Sequence, residues 1–90
     1  MSPLTDSIDR ARSTRQEALE LSPRAFGAWA SRLQNEAVAR SIEISGGYSE
    51  LNRWMVVANR HELTYVDGLL IAIENMRLPT MLPRQAGLSK

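Results

Sequence analysis

Over residues 64–77 the chain places Val66, Leu69, Leu70 and Ile73 at the spacing of one helical face, and Ile71 and Ala72 widen that face well beyond a surface stripe. The segment opens on Thr64, a favoured cap, with Asp67 three residues on and able to reach back in a box-like arrangement. Arg77 supplies a basic last turn and Pro79 the stop. A helix this apolar has to be covered nearly all round, by the rest of a small protein or by a second chain.

Upstream, Ser22-Pro23 reads as a cap followed by a first helical residue whose missing N–H has no partner to lose. It predicts a helix over residues 23–43. Phe26, Trp29, Ala30, Leu33, Ala37 and Ile44 fall on one narrow face, while Gly27, Ala28 and Ala39 are small enough to let another helix approach. Ser45-Gly46-Gly47 ends it, and Ser49 is the expected cap of a third helix over 50–60, with Leu51, Trp54, Met55 and Ala58 facing the core. His61-Glu62-Leu63 makes a tight connection into the fourth helix. The first helix, over 5–21 with Thr5 or Asp6 as cap, is the poorest in apolar residues: Leu4, Ile8, Ala11, Ala18, Leu19 and Leu21. Arg12 and Arg15 share a face with Ile8 and Leu19, so this helix is expected to be mostly solvated and loosely held.

No segment sustains period-two alternation, and the one short strand candidate, 41–45, has no partner. The fold class is therefore all-α, a small bundle-like array of three to four helices (residues 1–78). An irregular basic C-terminal tail (79–90) follows, with Leu78, Met81 and Leu82 expected to dock onto the body or onto a neighbouring chain.

Several apolar residues have no place in these stripes. Val38, Ile42, Val56, Val57 and Ile71 point away from the faces a monomer would bury, and five such residues on adjacent helices predict an interface patch. Phe26, Trp29 and Trp54 are expected to anchor the core across the second and third helices. Trp54, in a row with Met55, Val56 and Val57, is the one aromatic with an alternative role as an interface anchor. The expected protein interface is Val38, Ile42, Trp54, Val56, Val57, Ile71, Met81 and Leu82.

Ninety residues make one domain at most, with a core that is marginal unless a partner or symmetry adds to it. There is no Cys, so disulfides and thiolate metal sites are excluded. The N-terminus lacks the pattern of a signal peptide and the longest apolar run, 69–73, cannot span a bilayer, so no membrane role and a cytoplasmic location are expected. The net charge of +1 is uneven: residues 1–76 hold eight Arg against ten acids, for −2, and 77–90 hold three basic residues and no acid, for +3. The body thus has no basic field of the kind that draws a protein onto nucleic acid.

Candidate chemistry is thin. His61-Glu62 begins like the zinc-protease pattern H-E-x-x-H, but position 65 is Tyr65 and the chain has only one His. Glu36 and Glu43 lie near Arg32 and Arg40 at the spacing of solvated helix pairs. No Gly-x-Ser-x-Gly element is present. The third and fourth helices have the lengths of a helix-turn-helix, yet the fourth would present Asp67 and Glu74 to phosphate, leaving Arg10, Arg12 and Arg15 or the tail for DNA. The leading expectation is a small protein-binding regulator without cofactor, an adaptor or inhibitor that covers a surface of a larger protein and itself forms a homodimer. A small DNA-binding regulator and a small helical enzyme are the alternatives.

Overall fold

Four helices in sequence account for almost all of residues 3–76, the part of the chain that the computed structural model describes. Helix α1 is Pro3–Ala18, α2 is Pro23–Ser45, α3 is Ser49–Arg60 and α4 is Tyr65–Asn75. The all-α expectation holds. The tail at 79–90, with Met81 and Leu82, lies outside the described residues.

Helix α1 stops earlier than expected: the Leu19 N–H is shared between the Arg15 and Gln16 carbonyls, and Glu20 and Leu21 donate three residues back, to Glu17 and Ala18, tightening the chain out of the α form. Helix α2 begins as read: Ser22 accepts from the Ala25 N–H at 3.2 Å, with Pro23 as first residue. It runs to Ser45 and closes on Gly46, whose φ of 78° is the left-handed turn that glycine adopts without a Cβ clash. The start of α3 differs from expectation. Ser49 is its first residue rather than its cap, and no side chain caps it locally. The orphan N–H of Leu51 is taken by Ser41 Oγ of α2 at 3.1 Å, while the same hydroxyl donates to the Gly47 carbonyl at 2.6 Å. One fully buried serine thus pins α2 to the start of α3.

Helix α4 is the centre of the molecule, and α1, α2 and α3 all pack on it. Thr64 caps it as expected, accepting from the Asp67 N–H at 3.1 Å. The Asp67 carboxylate instead accepts from Arg15 Nε of α1 at 2.8 Å, a tertiary bond in place of the anticipated local box. Leu69, Ala72 and Met76 join Ala37 and Leu51 in one cluster against α2 and α3, and Ile71 joins Ile8 and Ala11 in a second against α1. Gly68 is where α3 crosses closest: a Cβ there would sit 2.9 Å from Met55 Cε and 3.1 Å from Ala58 Cβ. The expectation that α4 be covered nearly all round is met within one chain.

Helix α1 is also better held than its composition suggested. Ser7, Ile8, Ala11 and Ala18 are buried, and Arg15 lies on that same stripe because it reaches Asp67. At the other end Ser7 Oγ donates to Glu74 at 2.7 Å, Arg10 bonds the same carboxylate at 2.6 Å, and Asn75 donates to Ser7 at 3.1 Å.

Candidate interaction surface

Helix α2 has 23 residues, about 34 Å, whereas α3 and α4 have 12 and 11, about 18 and 16 Å. The Ser41–Leu51 bond sets the register of α2 and α3 at the far end of α2, so the excess length falls at its N-terminal end. The apolar stripe does not stop where its cover does. Leu33, Ala37 and Val38 enter the core, while Phe26 and Trp29, further out, belong to neither buried cluster. Both rings are only half-buried and pack on each other, with centroids 5.4 Å apart and planes at 58°. Their expected role as core anchors across α2 and α3 is therefore corrected: they pack on each other outside both buried clusters.

Next to them the chain turning out of α1 leaves Leu19 and Leu21 exposed, at 53% and 44%. Leu21 and Phe26 occupy the sequence positions of a hydrophobic staple around the Ser22 cap. Residues 25–31, Ala-Phe-Gly-Ala-Trp-Ala-Ser, carry no charge, and a Cβ on Gly27 would meet open space. Large rings beside small residues, without charge to desolvate, form a surface into which another protein's side chains can pack.

The expected interface residues are dispersed. Ile71 is fully buried beneath α1, so it is not available to a partner. It seemed surplus because only one stripe of α4 was counted, and α1 covers the other. Val38 is half-buried against the α2–α3–α4 core. Trp54 is half-buried between the two clusters, a core position rather than an exposed anchor, with its Nε1 buried and without an acceptor among the described residues. Val57 is half-buried, while Ile42 and Val56 remain exposed at 47% and 50%. Met81 and Leu82 fall outside the described residues. Of the five-residue patch the structure thus withdraws Ile71 and leaves Ile42 and Val56 exposed, and it adds a second apolar surface around Leu21, Phe26 and Trp29. The signal for it was in the predicted lengths, since a helix of 21 residues (23–43) cannot bury its whole stripe against helices of 11 and 14 (50–60 and 64–77).

Other chemistry is sparse. A shallow hollow of about 210 Å³ lies between α1 and α4, lined by Arg10, Ala11, Thr14, Leu70 and Glu74, and its two charges are paired with each other. Glu36 and Arg40 pair at 2.8 Å along α2, as their spacing predicted. Among the described residues no group of three or more His, Asp or Glu could hold a metal ion, and no helix is long and apolar enough to cross a membrane. The chain matches no protein family, no curated protein and no solved structure in the three comparisons made.

Proposed function

We propose that this protein is a small protein-binding regulator of the cytoplasm, an adaptor or inhibitor that works by laying the exposed start of α2 against a larger protein. The observation that carries this reading is the Phe26–Trp29 pair, two aromatics on the first turns of α2 that the described residues leave only half-buried. Aromatics in such a setting bring large contact area at low entropic cost, which is why they dominate binding hot spots. Leu19 and Leu21 extend the same end. A homodimer formed through this surface is the second form of the reading, because an uncharged face with both large and small residues can pair with its own copy.

The test uses the full chain with a photo-crosslinker at position 28, beside the rings, and at position 56 on α3 as a control. Capture of a defined partner, or of a second copy, from position 28 and its loss in a Phe26→Ser, Trp29→Ser variant is the expected result. Equal capture from both positions, or capture indifferent to the two substitutions, sinks the reading.

A further inference from the structure

We infer that α1 is the resident occupant of a helix-binding groove on α4, and that the groove accepts an arginine-bearing amphipathic helix of a partner protein in its place, at a surface distinct from the start of α2. The floor of the groove is Ile71, fully buried, with Leu70, Leu63 and Trp54 packed around it. Two carboxylates of α4, Asp67 and Glu74, stand seven residues apart and so share one face. Helix α1 answers them with Arg15 on Asp67 and with Ser7 and Arg10 on Glu74, and it brings only Ile8, Ala11 and Leu4 to the apolar floor.

The chemistry of the occupant follows from this charge pattern. The Asp67 side chain is 2% exposed, and a carboxylate out of water needs a cation and a hydrogen-bond donor. Any helix in the groove must therefore carry an arginine at that point, and a second basic or hydroxyl group near Glu74. The fit of α1 is also incomplete. The hollow lined by Arg10, Ala11, Thr14, Leu70 and Glu74 stays open, and the short Thr14 side chain at its edge is exposed. A helix with a leucine at that place gains contacts that α1 does not make. Finally, α1 packs chiefly on α4 and is joined to α2 by only four residues, 19–22, so it can leave without dismantling the α2–α3–α4 core. Helix α1 buries Ile8, Ala11 and Ala18, smaller and fewer side chains than the Ala37, Leu51, Leu69, Ala72 and Met76 of the other cluster, so it is the element expected to open first.

The experiment combines hydrogen exchange on the intact chain with peptides of the 3–18 sequence. One peptide carries Thr14→Leu and a second carries Thr14→Leu with Arg15→Glu. In the intact chain, α1 amides are expected to exchange at least about tenfold faster than those of α4. The Thr14→Leu peptide is expected to bind one to one, reported by Trp54 fluorescence in a Trp29→Phe background. It should bind more tightly to a chain with Ile8→Asp, which loosens the resident helix. Adding Arg15→Glu to the peptide should weaken binding by about tenfold or more. Equal exchange in α1 and α4, or no binding of the Thr14→Leu peptide, overturns the proposal. So does a homodimer of the unmodified chain that this peptide dissolves, since the incoming helix is then α1 of a second copy. Phe26 and Trp29 lie outside the groove, so peptide binding that survives their replacement while crosslinked capture is lost separates the two surfaces.

Discussion

Arg15 and Arg10 make similar bonds to carboxylates of α4 in very different surroundings. Arg15 is 23% exposed and its partner Asp67 2%, whereas Arg10 is 59% exposed and Glu74 30%. Water solvates the second pair whether or not it forms, but removing Arg15 strands a buried carboxylate. Arg15→Ala should therefore cost about 2–4 kcal/mol of stability and Arg10→Ala less than about 1, measured by urea denaturation. Equal losses would show that Asp67 finds water once α1 is weakened. Glu62, in the α3–α4 turn, carries a different kind of strain. Its φ of 57° puts a residue with a Cβ in the left-handed region, where Leu63 N–H closes back on the Ala58 carbonyl at 3.0 Å. Glu62→Gly should stabilise the protein by about 1 kcal/mol, seen as a higher melting temperature, because relief of the Cβ clash outweighs the extra freedom of the unfolded chain.

At the scale of elements, the crossing of α3 and α4 depends on the missing Cβ of Gly68. The atoms a methyl would meet are the end of Met55, which can turn aside, and the Cβ of Ala58, which moves only with its helix. Gly68→Ala should thus lower stability by about 1–3 kcal/mol, despite the roughly 1 kcal/mol that alanine gains in helix propensity. A thermal melt of the variant decides it, and a net gain would show that α3 and α4 slide apart freely. Helix α2 illustrates the opposite case, a helix longer than its cover. Its far half is fixed by Ala37 and Ser41, and its near half keeps its helical form from the Ser22 cap and its alanines. That rigidity is what makes Phe26 and Trp29 a defined surface instead of a mobile one.

For the molecule as a whole, the buried clusters surround α4, while the half-buried aromatic pair and the exposed Leu21 belong to neither. Phe26→Ser with Trp29→Ser should leave the chemical denaturation midpoint within about 1 kcal/mol of the parent, the usual range for residues outside a core. The same substitutions should abolish capture at position 28. A large loss of stability would instead assign the pair to the core.

Much of the fold was legible because it is local. Ser22-Pro23, Gly46 and Thr64 act on backbone groups within a few residues, so the boundaries they mark stand in the structure close to where the pattern put them. The apolar circumference of α4 likewise announced a central helix before any neighbour was known. What the pattern could not reveal involved partners distant in the chain. Asp67 could be read as half of a local box, and only the arrival of α1, some 52 residues away, gave it Arg15. Ser41 looked like one more polar residue until α3 folded back and offered the Leu51 N–H. Ile71 seemed a surplus side chain because α1, polar by composition, gave no sign of covering it. Phe26 and Trp29 seemed core residues for the converse reason: periodicity shows which face of α2 is apolar, and only the register of α3 and α4 decides how far along that face the cover extends.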